Sequence, residues 1–498
     1  MSQTETRAAS NVPDATDPAD LGVLEAAALL RERRLSASEL TEACLRRIQE
    51  RNGGQPSFDG GPGAVNAWAR VYPELARQAA SLADERLARA APPALCGIPL
   101  ALKDLYAIQG LPLTASSRVL EGHVAQRDAT VWARLRDQGM VALGHTHTHE
   151  FAGGGTTDQV GNPWDLSTVA GGSSGGSAAA LATAMAPAAL GSDTCGSLRI
   201  PSACCATSAI KPTRGLLPLD GVIPFAATLD HPGPMARTIA DCAALLDGML
   251  RGGPAVSAIS PPAAPLRDLP LAPRIDSRPL ERLTIAVLTD RIEGAAVEPE
   301  VAAAFDEATS ACERLGARVI VATAPSAIEW GDLTRILCTE AWAYHSRHTE
   351  RADLYRPAIA EFLEAARTFN EAAPYLEAQA RRARAAAAWT RWFVEAAVDL
   401  VLEPTLPIVP YKRGPGYDRG HAGGAGDPMI ALTALWDMTG LPVAALPVTS
   451  RVGISLIAPA GREAELVGAA IDLQCHELGV PRWSPDPGTI QPANTEVR

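Results

Sequence analysis

Two spacings of apolar residues alternate along this chain. Stretches with apolar positions three and four residues apart, which share one face of a helix, give way to short, nearly continuous apolar runs of strand length. Leu21–Arg34 has the helical spacing, with Leu24, Ala27, Ala28 and Leu30 on or near one face. A second helix is predicted from Ser36, because Ser36-Ala37-Ser38-Glu39 fits a capping box and Leu40, Cys44, Leu45 and Ile48 continue the apolar face. The glycines and prolines of 53–63 predict a loop, and Pro73–Ala91 an alanine-rich helix. Together these segments read as an outer helical layer.

Strands enter from residue 97. Gly97–Asp104 is a short apolar run that ends on the cation Lys103, and it is followed by a helical stretch, Thr130–Gln138, and an apolar strand, Met140–Leu143. The alternation continues through helix Gly176–Ala186, strand Ala188–Gly191, helix Thr238–Met249, strand Thr284–Leu288, helix Glu298–Leu315 and strand Arg318–Ala322. Residues 330–398 are expected to be helical throughout, as an insertion resting on the sheet. Strands return near Val398–Leu402, Val443–Leu446 and Gly453–Ile457, before a final helix to about Glu477. This order predicts an α/β fold with a large mixed, mainly parallel central sheet covered by helices on both sides. One domain is expected over 21–498. The Pro- and Ala-rich residues 252–280 are a connection within it, and residues 1–20 a polar, disordered leader without the apolar core of a secretion signal.

The pattern fails in one place. Between Asp165 and Asp193 no side chain is charged, and between Asp193 and Lys211 only Arg199 is. A membrane span needs about 20 predominantly apolar residues, whereas Gly171, Gly172, Gly175, Gly176 and Pro187 interrupt this run. Burial is the expectation, and buried serine hydroxyls must be hydrogen-bonded or used.

Composition narrows the function classes. The apolar fraction of 47% allows a large core, and the net charge of −12, without a Lys/Arg cluster, argues against nucleic acid or an anionic membrane as partner. Nine cysteines, an odd number with no Cys-x-x-Cys pair, predict neither a disulfide framework nor a zinc site and fit a reducing cytoplasm.

Three elements carry candidate chemistry: Lys103 at a strand end, the loop Gly171-Gly172-Ser173-Ser174-Gly175-Gly176-Ser177, and Gly191-Ser192-Asp193-Thr194-Cys195-Gly196-Ser197-Leu198-Arg199. Each is weak alone. The glycine-serine loop lacks the Gly-Lys-Ser/Thr ending that would make it a phosphate loop. In this order and spacing, however, they resemble the amidase signature family of serine hydrolases. The resemblance extends through Gly97-Ile98-Pro99-Leu100, Leu143–Thr146 with Glu150-Phe151-Ala152, Asn162–Asp165, Lys211-Pro212-Thr213 with Gly215, and Asp230 to Gly233-Pro234-Met235-Ala236-Arg237 with Asp241. Fainter likenesses, Glu403–Pro407 and Thr439–Pro442, carry it over roughly residues 20–475.

The resemblance implies a Ser–cis-Ser–Lys triad. Lys103 matches the catalytic lysine, Ser173 the serine at the cis peptide and Ser197 the nucleophile; the separation, 197 − 173 = 24, is that of the family. It also implies an oxyanion hole from the backbone N–H groups of Thr194, Cys195, Gly196 and Ser197, with Asp193, Arg199 and Ser174 as supports. Gly153, Gly154, Gly155 and Thr156 would line the acyl side of the pocket, and Trp436 and aromatic residues of 330–398 the leaving-group side. The implied reaction is hydrolysis of an amide through an acyl-serine, with ester or carbamate as alternatives. The competing readings are a non-catalytic scaffold and a glutaminase-type subunit of an amidotransferase. No cofactor or metal is implied, and the expected state is a monomer or homodimer.

Elementary chemistry gives this scheme its requirements. A serine hydroxyl needs a base, and a lysine is a base only when neutral, so its pKa must fall from roughly 10.4 towards 7–8 by desolvation. The charge-free run supplies that environment. Two local patterns compete with it. Cys195 stands where the family commonly has glycine, which raises the question of a cysteine nucleophile against a small buried side chain. His145, His147 and His149 would share one face of a strand, as metal ligands do, although the resemblance assigns them to a strand-to-loop step where His147 braces the loop by hydrogen bonding.

Overall fold

The computed structural model describes residues 17–482 except 90, 252–278, 328 and 415–426. Most of the expected leader and of the 252–280 connection lies outside the described residues. Among those described, the strands are β1 (Trp68–Val71), β2 (Pro99–Lys103), β3 (Val141–Thr146), β4 (Gly161–Asn162), β5 (Asp165–Val169), β6 (Ala188–Asp193), β7 (Ser208–Lys211), β8 (His231–Ala236), β9 (Thr284–Leu288), β10 (Arg318–Ala322), β11 (Leu400–Pro404), β12 (Val443–Pro447) and β13 (Gly453–Ile457). Strands β4 and β5 form a ladder of their own, and the other eleven make one sheet in the order β1-β3-β2-β6-β8-β7-β12-β13-β11-β9-β10.

The sheet is large and mixed, as expected for this α/β chain, but it is not mainly parallel. Only the pairs β2–β3, β2–β6, β9–β11 and β9–β10 are parallel; the other six are antiparallel. The miscount has a physical source. Strand β8 follows β7 without a crossover helix, and it contains Pro232 and Pro234, which do not look like a strand. Prolines two residues apart remove donors from one edge of a strand only. The other edge of β8 keeps the N–H groups of His231, Gly233 and Met235, and β6 pairs along all of β8, whereas β7 meets it only at Ala236 and Met235.

The helices follow their sequence signals. Ser36 accepts a hydrogen bond from the Glu39 amide while the Glu39 carboxylate accepts one from the Ser36 amide, closing the capping box before helix Ala37–Arg51. The 330–398 segment is helical with breaks: helix Trp330–His345, a 3-10 stretch Ser346–Leu354, then helices Pro357–Ala366 and Ala372–Glu395. Among the described residues no helix is long and apolar enough to cross a membrane.

Three neighbours, β3, β2 and β6, are mutually parallel, so their C-terminal ends share one edge. Thr146, Lys103 and Asp193 stand there. In open α/β sheets such an edge is where ligands bind. Of residues 169–213, all but Ala182 are buried, which answers the question raised by the missing charges. Helix Gly175–Ala182, built entirely from Gly, Ser, Ala and Leu, packs against β2, β6 and β8.

Candidate active site

Lys103 ends β2 fully buried. Its Nζ lies 2.7 Å from Ser173 Oγ, 2.9 Å from Ser174 Oγ and 2.9 Å from Ser192 Oγ. Burial, opposed by the charges of Asp193 and Asp230, pushes its pKa down to about 7. A neutral amine has two N–H donors and one lone pair. Ser174 uses its hydroxyl proton on the Ser192 carbonyl, so it can only accept from the lysine. The lone pair therefore falls to Ser173 or Ser192.

The peptide bond Gly172–Ser173 is cis, the only such bond among the described residues. The Ser173 carbonyl accepts from the His149 amide (3.0 Å) and Thr157 Oγ1 (3.2 Å), and a Cβ at Gly172 would collide with the Thr156 carbonyl. Residues 149–157 thus pack directly on the serine loop. On its other side the Ser174 amide donates to the Ser197 carbonyl at 3.3 Å, which brings the cis loop against the third sequence element.

That element is a turn built on Asp193. Its carboxylate accepts from the amides of Gly196 and Leu198 and from Arg199 Nε (2.9 Å) and Nη2 (3.1 Å). Arg199 in turn donates to Asp437 (2.5 Å) and to the Thr433 carbonyl (3.0 Å). Burial alone would raise the Asp193 carboxyl, but the Arg199 guanidinium overrides it and holds the group below the carboxylate range. Burial and the Asp193 charge push Asp437 the other way, well above its ordinary value. Gly196 has φ +133°, and Thr433 fills the space where its Cβ would stand.

The amides of Thr194, Cys195 and Ser197 have no acceptor among the described residues. The Gly196 amide does not belong with them, because Asp193 occupies it. Of the four donors the resemblance implies, the expectation for Gly196 is corrected, and three amides are left free. Cys195 is buried, which pushes its thiol well above the usual range, away from the reactive thiolate.

Removing Arg199 would leave Asp193 and Asp437 buried without their shared cation. Arg199→Met is expected to cost about 3–5 kcal/mol of stability by urea unfolding at neutral pH. Because the folded-state pKa of Asp193 is lowered, the contribution of its ion pair is present above the unfolded carboxylate pKa and is lost as pH falls through and below it. A loss near zero would show that the turn does not depend on this pair.

The glycine stretch 153–155 lies beside apolar side chains, the His149 ring and, 3.7 Å from a Cβ built on Gly155, the buried Asp427 carboxylate. A Cβ on Gly153 would sit 2.5 Å from Ile359 Cδ1 and 3.6 Å from the Phe225 ring, and one on Gly155 3.0 Å from Met429. A Cβ on Gly154 would meet the His149 ring. Phe225 and Phe362, both half-buried, pack with ring centroids 5.7 Å apart. Trp436 is elsewhere. It is fully buried in a second core, packed edge-on to Trp389 at 4.9 Å, with its indole N–H on Glu403. The expectation that it lines the pocket is corrected: the indole found its partner in the core, which the sequence does not display.

The three histidines diverge after β3 ends at Thr146. His145 bonds Tyr72 Oη and the Tyr106 carbonyl, both at 2.9 Å, whereas His147 bonds Ser116 Oγ (3.1 Å) and the Ser57 carbonyl (3.0 Å). Among the described residues no group of three His, Cys, Asp or Glu side chains is placed to hold a metal ion. Sequence reasoning missed Ser192, Thr433 and Asp437. Asp437 lies 238 positions from Arg199, and no local spacing signals such a contact.

Comparison with known proteins gives a consistent result. The family described as Amidase matches residues 39–467. A glutamyl-tRNA(Gln) amidotransferase subunit from Chromohalobacter salexigens is 34% identical, covering 91% of this chain and 96% of its own, and its namesake from Janthinobacterium sp. (strain Marseille) is 32% identical, covering 90% and 96%. Among solved structures, a 6-aminohexanoate cyclic dimer hydrolase superposes with TM-score 0.80 at 29% identity, covering 92% of this chain and 97% of the other. The native peptide amidase of Stenotrophomonas maltophilia superposes with TM-score 0.77 at 26% identity, covering 94% and 99%.

Proposed function

The chain belongs to the amidase family, whose members act on carbon–nitrogen bonds, and from that premise we propose that it hydrolyses a carboxylic amide through an acyl-Ser197 intermediate. The observation that carries this reading is the buried Lys103 amine, brought to neutrality near pH 7 and ringed by three hydroxyls at the shared strand edge. A lysine in that state serves as a base and has little value as a structural cation.

Ser197 Oγ attacks the amide carbonyl and passes its proton to Ser173, whose own proton moves to the Lys103 lone pair. Ser174 and Ser192 take the two amine hydrogens and aim that lone pair. The negative charge on the carbonyl oxygen falls on the amides of Thr194, Cys195 and Ser197, donors already fixed in place by the Asp193 turn. As the carbon–nitrogen bond breaks, Ser173 returns a proton to the leaving nitrogen and is recharged from Lys103. Water then repeats the sequence on the acyl-enzyme, and the acid leaves.

Substrate choice belongs to the walls. Ile359, Phe225, Phe362 and Met429 around the glycine stretch favour an uncharged amide with an apolar or aryl acyl group. Aryl esters and carbamates pass through the same acyl transfer. The relatives named as amidotransferase subunits favour a second reading, a glutaminase subunit that acts with partner chains. Rates on anilides, aliphatic amides, aryl carbamates and glutamine separate the two. Apolar amides are expected to lead in kcat/KM, and glutamine in first place would overturn the assignment. Phe362→Ala is expected to lower kcat/KM for an aryl amide about 10-fold, the worth of a buried aromatic contact, and to leave acetamide unaffected.

A further inference from the structure

The mechanism leaves one buried carboxyl beside the oxyanion turn unassigned. Asp230 lies one step beyond the last paired residues of β6 and β8, Asp193 and His231, so the antiparallel register sets it opposite Thr194. One of its oxygens accepts from Thr194 Oγ1 at 2.6 Å and from the Ala226 amide at 3.2 Å, and the other from the Phe225 amide at 3.0 Å. Asp230 is 7% exposed, and all of the described hydrogen-bond partners of its carboxyl come from these two places.

Both places belong to elements of the candidate site. Thr194 opens the turn that carries the free amides, and Phe225 stands against Phe362 and the Gly153 backbone. The loop between Phe225 and Asp230 is fastened from behind as well. Glu340 accepts from the Thr228 amide (2.8 Å) and hydroxyl (2.6 Å), and Arg382 donates to the Thr228 carbonyl (2.8 Å). The loop therefore has a fixed back and, through Asp230, a fixed front.

We propose that Asp230 is a positioning residue that sets, with one carboxyl group, both the Thr194 end of the oxyanion hole and the Phe225 wall of the acyl pocket. One oxygen bridges the turn and the loop, taking Thr194 Oγ1 and the Ala226 amide together, and the second oxygen is what holds the Phe225 amide. Acyl recognition and oxyanion stabilisation are thereby registered to each other, which matters because a shift of about 1 Å at a reacting centre costs on the order of 100-fold in rate. The inference rests on the acyl-Ser197 reading, and its test is arranged to fail separately from it.

The readout is the second-order rate and the final amplitude of labelling by a fluorophosphonate, which needs no knowledge of the substrate. Asp230→Asn offers one acceptor oxygen in place of two and is expected to slow labelling of Ser197 by about 10–100-fold, with one label per chain still reached at saturation. Thr194→Val is expected to slow it comparably, Thr194→Ser to recover most of that loss, and the double variant Asp230→Asn/Thr194→Val to be no slower than the worse single one. On substrates, the preference for an aryl over a small aliphatic amide is expected to shrink in Asp230→Asn and to persist in Thr194→Val. A wild-type labelling rate in Asp230→Asn, or a loss of amplitude at unchanged rate, overturns the inference and leaves the hydrolase reading standing. Wild-type protein that is never labelled at Ser197 overturns both.

Discussion

Ser197→Ala is expected to abolish turnover, with kcat falling by at least about 10,000-fold, the scale on which removing the nucleophile of a serine hydrolase acts. The argument is positional. Ser197 closes the turn that holds the free amides, its carbonyl receives the Ser174 amide, and it precedes helix Arg199–Cys205 on a turn pinned by Asp193. The same variant should take no label from a fluorophosphonate, whereas peptide mapping of the wild type should place a single label on Ser197. Cys195 is the internal competitor. Its thiol, pushed up by burial, is a poor nucleophile at neutral pH, and its amide survives substitution, so Cys195→Ala should still be labelled on Ser197. Label that persists in Ser197→Ala and disappears in Cys195→Ala would falsify the nucleophile assignment.

Lys103 carries the second large effect. Lys103→Met is expected to remove most activity, and Lys103→Arg not to restore it, because a guanidinium stays charged and offers no lone pair. The pH dependence follows from the sign of the shift. Burial lowers the lysine pKa to about 7, so the neutral, active amine predominates above that value and is lost below it. The plot of kcat/KM against pH should rise through about 7 and fall about tenfold per pH unit on the acid side. Lys211 is also buried and also driven down to about 7, but its Nζ donates to the Pro212 carbonyl and touches none of the serines. Lys211→Met should therefore keep the acid limb. Ser173→Ala should cost far more activity than Ser192→Ala, since in the proposed mechanism only Ser173 relays a proton. A profile flat between about pH 5 and 9 would exclude Lys103 as the base.

Much of the frame was legible in the sequence because its signals are local. The Ser36–Glu39 box starts its helix where the sequence places it, β9, β10 and β13 coincide with the apolar runs at Thr284, Arg318 and Gly453, and the charge-free run is buried. Strand β8 was not legible, because two prolines argue against a strand unless it is known which edge keeps its donors. Strand β1, only four residues long and pairing irregularly with β3, carries too little pattern to be seen. Trp436 was misplaced because its sequence neighbours do not show what its ring touches, and only its stacking on Trp389 shows that it is spent in a core.

The sequence by itself determined the family, the identity of Lys103, Ser173 and Ser197 as candidates, and the need for a chargeless environment around them. Those are properties of residue type and of spacing along one strand or loop. Tertiary structure alone decided that Ser192 joins the lysine, that Asp193 occupies the Gly196 amide and leaves three donors, that Asp437 shares Arg199, and that Asp230 ties Thr194 to Phe225. Each of these is a hydrogen bond or ion pair whose partner is chosen by distance in space. Asp193 lies three residues from Gly196 and could have bonded several other amides of the same turn, and Asp437 comes from a helix more than two hundred residues away. Directional bonds are fixed by where the sheet edge and its loops come to rest, and only the folded chain sets those positions.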